Sequence, residues 1–320
     1  MVKVIGNIQP EDDYTHPLGP ESNFNESVYF NFFDRNQNRG GFIRMGNRAN
    51  EGYAEMTVII FNSDGSVYFN YKKPDIDHND AWDAGGAKVE VITPAKEIRT
   101  VYEGSALYMQ DPRDMKDPGK AFKSNPFRRI KLDLTHYGVG PMYGHVGEEG
   151  DGNDFARSHY EQHMRVQGSL HVEGEEQALQ ISGHGLRDHS WGPRFWQSTP
   201  SYRWITGNFS DDLGMVLTVS NRGAGGLFHK GQELVRITDL KLSTDYEPGT
   251  SFHRALVADL TLENGDQHQL VGAVKSFIPL RNRRSEQVTY IGEGMTEYTL
   301  DGAHTGYGLS EYLNQPGDDL

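Results

Sequence analysis

Val58-Ile59-Ile60-Phe61-Asn62-Ser63-Asp64-Gly65-Ser66-Val67-Tyr68-Phe69-Asn70-Tyr71 sets the reading of the chain. Two runs of β-branched and aromatic residues flank a polar stretch containing Asp-Gly, and glycine tolerates the positive φ that hairpin turns require. The device returns at Leu260-Thr261-Leu262-Glu263 and Asn264-Gly265 followed by 267–274. It returns again where 164–172 and 177–184 flank Glu173-Gly174-Glu175. Further strand-type runs lie at 27–33, 87–93, 96–102, 127–135, 201–209, 213–219, 232–242, 252–259 and 287–300. Many short strands between turn signals predict an all-β sandwich or barrel. Helix is scarce. Asp111-Pro112 and Asp117-Pro118 disfavour it within 105–123, because proline pushes the preceding residue out of the helical region. One short helix is expected around 153–159, capped by Asn153 or Asp154.

Composition narrows the function. The 320 residues carry a formal charge of −14, which argues against general nucleic-acid or anionic-membrane binding. There are 0 cysteines, so disulfides, a thiol nucleophile and thiolate-held metal are excluded. The most apolar stretch, Met56-Thr57-Val58-Ile59-Ile60-Phe61, is strand-sized and far short of a membrane helix. The start, Met1-Val2-Lys3-Val4-Ile5-Gly6, runs into Glu11-Asp12-Asp13 without an apolar leader. The expectation is a cytoplasmic protein with no membrane span.

Two halves are expected, 1–175 and 176–320. The stretches 75–86 and 138–153 read as loops, the second as a linker between the halves. A weak echo supports duplication. Val28-Tyr29-Phe30-Asn31-Phe32-Phe33-Asp34, then Gly41-Phe42-Ile43-Arg44, parallels Tyr202-Arg203-Trp204-Ile205-Thr206-Gly207-Asn208-Phe209, then Leu213-Gly214-Met215-Val216.

One segment concentrates chemistry: Gly183-His184-Gly185-Leu186-Arg187-Asp188-His189-Ser190-Trp191-Gly192-Pro193-Arg194-Phe195-Trp196. It holds acid, base, cations and flat apolar rings, the mixture needed to bind an apolar molecule and move protons on it. On a regular strand Arg187, His189 and Trp191 share one face and Asp188 and Ser190 the other. Asp188 and His189 enter one cavity only if Gly185 or Gly192 permits a bulge. Without one, a member of the pair is structural. The segment also reads as an interface between two β domains, with Arg187 and Asp188 pairing with other buried charges and Trp191 plugging a barrel end.

The run His184-Gly-Leu-Arg-Asp188-His189-Ser-Trp191-Gly192 resembles the Asp-His-x-Trp-Gly signature of the AttH-like and carotenoid 1,2-hydratase group, which is itself similar to the fungal decalin-forming pericyclases. Phe30-Asn31-Phe32-Phe33-Asp34, Gly40 to Arg48, Asn50-Glu51-Gly52 and His159-Tyr160-Glu161-Gln162 resemble a bacterial branch of that group. The resemblance implies two lipocalin-like β-barrels and an apolar pocket. It also implies addition of water to, or ring closure on, a terpenoid- or polyketide-like substrate, without a cofactor. By this carry-over Asp188 and His189 are catalytic. Trp191, Arg187, Arg194, Trp196, His184 and Tyr160 contact substrate. No metal is implied. Arg187 departs from the hydratases, which usually carry an aromatic residue there. In such a mechanism Asp188 acts as the acid, its pKa raised by burial, and aromatic faces steady a cationic transition state.

Other groups carry less. His159, Glu161 and His163 would share a strand face suited either to a metal or to an interface. Asp75, Asp77, His78, Asp80 and Asp83 surround Trp82, and Tyr143 and His145 lie among glycines; both read as solvated loops or as pocket lids. Arg281, Arg283 and Arg284 read as ion-pair partners or an anion contact. The leading function is a lyase or isomerase acting on a hydrophobic small molecule. A non-catalytic carrier comes second, and a hydrolase using the His–Asp pair third.

Overall fold

The computed structural model describes residues 2–148, 157–194, 199–284 and 287–316. The first half contains β1 (Val4–Gly6), β2 (Phe24–Asp34), β3 (Arg39–Arg48), β4 (Tyr53–Phe61), β5 (Val67–Lys72), β6 (Asp83–Ala84), β7 (Ala87–Thr93), β8 (Glu97–Met109), β9 (Phe127–Gly138), β10 (Met142–His145), β11 (Ser158–Val172) and β12 (Leu179–Pro193). The second contains β13 (Ser201–Ser210), β14 (Leu213–Ser220), β15 (Gly223–Lys230), β16 (Glu233–Tyr246), β17 (His253–Leu262), β18 (Gln267–Arg284), β19 (Gln287–Leu300) and β20 (His304–Asn314).

Strands β13 to β20 form a closed barrel. The first sheet also closes. Antiparallel pairing runs β2-β3-β4-β5-β8-β9-β11-β12 and returns from β12 to β2. Closure removes the open edges at which other chains would pair. β1 and β10 hang from one end of β11, and β6 and β7 from one end of β8. The echoed segments fall on β2–β3 and β13–β14, the first two strands of each barrel. Among the described residues no helix is long and apolar enough to cross a membrane.

Period-two alternation explains the packing. Phe30, Ile43, Met45, Val58 and Ile60 fill the first barrel. Their neighbours Tyr29, Phe42, Ile59, Phe61 and Phe69 point outward and pack against Ile278, Met295 and Leu309 of the second barrel. The unbroken apolar run in β4 therefore reflects a strand buried on both faces. A second seam joins the barrels through reciprocal glycines. A Cβ on Gly214 would lie 2.6 Å from the His163 ring, and one on Gly140 would lie 2.5 Å from His229. The two rings meet edge-on at 5.2 Å.

Three expectations are corrected. The boundary at 175/176 falls inside the first sheet, because β12 pairs with both β11 and β2. The chain crosses between sheets only between Pro193 and Ser201. The α-helix α1 (Pro118–Ser124) lies where prolines argued against one. There Pro118 is the first helical residue, where its missing N–H costs nothing, and Asp117 caps it by accepting from the Lys120 N–H. The helix expected at 153–159 lies partly outside the described residues, and from Ser158 onward the chain is strand.

One end of the first barrel is sealed by polar groups. Arg187, fully buried on β12, forms an ion pair with buried Asp13. It also donates to Tyr160 Oη at 3.0 Å and to Gln162 Oε1 at 2.7 and 2.9 Å. Tyr160 in turn donates to Asp13 at 2.6 Å. Removing one partner strands a charge in a dry interior, at a cost of about 3–5 kcal/mol. Asp13→Asn is therefore expected to lower unfolding free energy by that order in urea titration. Asp13→Leu with Arg187→Met should recover most of the loss. Equal stability of Asp13→Asn and the native chain would contradict the assignment.

Candidate active site

Strand β12 keeps strict alternation opposite β11, with no register shift between Leu179 and Trp191. Asp188 therefore faces away from His189. Asp188 and Ser190 point into a cleft of about 1000 Å3 between the barrels. His189 points into the first barrel, where Nε2 lies 2.9 Å from Glu26 and Nδ1 lies 3.1 Å from Tyr160 Oη.

The partner of Asp188 comes from β11. His159 forms an ion pair with Asp188, and Glu161, two residues on, stands 3.9 Å from the same imidazole. Glu161 accepts a hydrogen bond from Tyr143 Oη at 2.6 Å and another from Trp204 Nε1 at 3.1 Å. Trp204 belongs to the second barrel, so this cluster spans the seam. The second barrel also contributes Glu293 and Glu311, opposite one another on β19 and β20. Tyr202 donates to Glu311. Tyr29 lies in the electrostatic field of Asp188, Glu293 and Glu311 together.

Protonation follows from these neighbours. Burial opposes charge on His159, but the Asp188 carboxylate outweighs it and holds the imidazole at about 9. Burial pushes Asp188 up, yet His159, with help from Arg194, brings it below the usual carboxylate range. Asp188 is thus an ionised partner at neutral pH rather than the neutral acid expected from sequence. The pair's stabilisation is present at neutral pH and is lost as pH rises through about 9, where His159 loses its proton. Burial raises Glu161, and the like charge of Asp188 adds to it. Burial raises Glu293 well above its ordinary value, and Glu311 beside it adds to the effect. Two carboxyls in contact cannot both ionise cheaply, so they share a proton.

The other expected site residues divide. Arg194 lines the cleft and donates to Ser190 Oγ at 3.0 Å. Burial, with Arg44 nearby, lowers its pKa to about 10. Arg187 and Tyr160 lie in the polar network inside the first barrel and touch no cleft surface. Trp191 closes the barrel end by stacking on His16 at 3.9 Å. Trp82 packs edge-on against His189, so it plugs the barrel rather than covering a pocket. His184 pairs with Asp211 at 2.8 Å across the seam. Trp196 lies outside the described residues. Alternation explains every placement: the motif supplies a core face and a cleft face, and its aromatic and cationic members fall mostly on the former.

Sequence reasoning singled out the face of His159 and Glu161 but missed Glu293 and Glu311. A signal existed. Glu293 shares its strand face with Ile291 and Met295, an acid in an otherwise apolar row that packs against the other barrel. His163, expected beside His159, instead bonds Asn208 at 2.8 Å in the seam. His159, Glu161 and Asp188 offer ligand atoms within 4.8 Å of one another, as do His16, Glu26 and His189, so both trios have metal-like spacing. In the second trio the acceptors are filled. Glu26 accepts from both histidines and from Asn79; burial alone would push its carboxyl up, but the two histidines hold it at about 2.

A family model for a domain of unknown function, DUF7064, matches residues 9–316. A sequence search of curated proteins returns no match. Among solved structures, a Nitrosomonas europaea protein given the AttH designation matches with TM-score 0.60 at 15% identity, covering 98% of this chain and 99% of that one. Kievitone hydratase from Nectria haematococca matches with TM-score 0.57 at 14% identity, over 98% and 96%. CghA matches with TM-score 0.54 at 11% identity, over 93% and 90%. At these identities the likeness shows the fold, and it is the fold implied by the Asp188-to-Gly192 motif. The carboxyl assignment has a direct test. The infrared spectrum at pH 7 is expected to contain a protonated carboxyl band that Glu293→Gln removes. An unchanged band in that variant would refute the shared proton.

Proposed function

The chain belongs to the DUF7064 family, and we propose that it is a lyase or isomerase performing acid–base chemistry on a hydrophobic small molecule held between its barrels. One observation carries this reading. A single cleft brings together a carboxyl pair that retains a proton, Glu293 and Glu311, and a carboxylate with raised pKa, Glu161, fixed beside the His159–Asp188 ion pair. Acid and base with separated roles are what proton transfer to and from carbon requires. Aromatic and aliphatic lining from Phe42, Phe69, Phe122, Leu280 and Ile291 suits a terpenoid- or polyketide-like body. A hydratase stands among the proteins sharing the fold.

For hydration, Glu293 gives its proton to one alkene carbon. Water attacks the other carbon and passes a proton to Glu161. Solvent then returns that proton to the Glu293–Glu311 pair, so the net change is addition of water. Reversal gives dehydration. Loss of a carbon-bound proton to Glu161 instead of water attack gives isomerisation. Tyr29, Tyr202 and Trp204 present π faces or dipoles to developing positive charge.

A carrier would line its pocket with apolar groups and few ionisable ones, so this cleft favours catalysis. A hydrolase needs a hydroxyl nucleophile at His189, and the hydroxyl there is the buried phenol of Tyr160.

The test incubates the protein in deuterium oxide with a panel of terpenoid and polyketide alkenes and tertiary alcohols, followed by mass spectrometry. Deuterium at carbon, or gain or loss of water, is expected from at least one compound. Glu161→Gln and Glu293→Gln should each lower that rate by about 10²–10⁴-fold. Tight binding of panel members with no label in any of them would overturn the reading in favour of a carrier.

A further inference from the structure

The cleft carries an excess of positive charge that the acid–base chemistry does not use. Arg44 faces Glu55 at 3.5 Å, and Arg48 is paired with Glu51. Lys73, Arg222, Arg281 and Arg283 also line the cleft, all of them solvent-exposed and therefore at its rim. None of these four has a carboxylate within ion-pair distance among the described residues; Lys73 Nζ lies over the Tyr53 ring, 3.4 Å from its centroid. The rim cations come from both barrels. Lys73 follows β5, Arg222 sits at the turn between β14 and β15, and Arg281 and Arg283 lie two residues apart near the end of β18.

This placement runs against the rest of the molecule. The chain as a whole carries a net charge of −14. Four cations instead ring the entrance to one cleft. Low-dielectric walls focus such a field and draw ligands of opposite charge. Guanidinium groups two residues apart on a strand also suit the oxygens of a carboxylate or phosphate.

Building on the reading of the cleft as the substrate site, we propose that its substrate is an amphipathic anion. The apolar body lies along Phe42, Phe69 and Phe122, and a carboxylate or phosphate is held at the rim by Lys73, Arg222, Arg281 and Arg283. The reacting carbons then lie at the floor, between Glu161 and Glu293.

Two dyes of nearly identical shape test this by binding alone, so a negative result leaves the acid–base reading to its own experiment. 1-Anilinonaphthalene-8-sulfonate carries an anionic group; N-phenyl-1-naphthylamine lacks it. The sulfonate should bind about tenfold more tightly, as expected for charge-assisted hydrogen bonds. The variant Lys73→Gln, Arg222→Gln, Arg281→Gln, Arg283→Gln should lose that preference while still binding the neutral dye. Phe122→Ala, at an exposed apolar wall residue, should weaken both. Decanoate and decyl phosphate should displace the bound sulfonate better than decanol, and the stronger of the two identifies the anionic group. Equal affinity for the two dyes, a preference that survives the fourfold variant, or insensitivity of both dyes to Phe122→Ala would each overturn the proposal.

Discussion

The site depends on the uninterrupted two-residue alternation of β12 from Leu179 to Trp191. A bulge anywhere in that span would exchange the two faces. Because none occurs, Arg187, His189 and Trp191 are committed to closing the first barrel, and Asp188 and Ser190 to the cleft. β11, in register opposite, obeys the same parity: Tyr160 and Gln162 go inward, His159 and Glu161 outward. A single pair of strands thus builds the barrel's polar seal on one face and one wall of the cleft on the other. The compact Asp-His-x-Trp-Gly motif thus serves two surfaces, the barrel interior and the cleft.

Burial by the second barrel then tunes the groups on the cleft face. Trp204 and Tyr143 fix Glu161, while Asp188 holds His159 charged. The Glu293–Glu311 pair arrives from the far side with a proton retained. The groups that line the cleft come from both barrels. The packing of Tyr29, Phe42 and Phe69 against Met295 and Leu309 holds the two sides of the cleft together. The rim cations extend the same logic, since they too come from both barrels.

Much of the fold was legible. The Asp-Gly and Asn-Gly hairpins, the echo between β2–β3 and β13–β14, and the short motif all pointed to two barrels. The boundary was misplaced because a hairpin turn such as Glu173-Gly174-Glu175 reads alike whether it lies within a barrel or between two, and only pairing shows that β12 belongs to the first sheet. The helix at Pro118 was missed because proline at the first helical position and proline inside a helix read alike until the cap is seen. In the site, alternation correctly separated Asp188 from His189, but sequence could not say which entered the cleft. His159 was visible as one of a histidine pair. Glu293 and Glu311 were not, because their proximity depends on β19 and β20 pairing across eighteen positions, a register that no local pattern specifies.

The division of labour within the motif is most directly tested by comparing Asp188→Asn with His189→Gln, following both the His159 ring by nuclear magnetic resonance and the stability of the fold. The account predicts that Asp188→Asn lowers the His159 midpoint from about 9. His189→Gln should leave that midpoint in place and cost about 1–3 kcal/mol of stability, through the buried Glu26 and Tyr160 groups it no longer satisfies. A His159 midpoint that follows His189 rather than Asp188 would contradict the account, and so would a fold indifferent to His189.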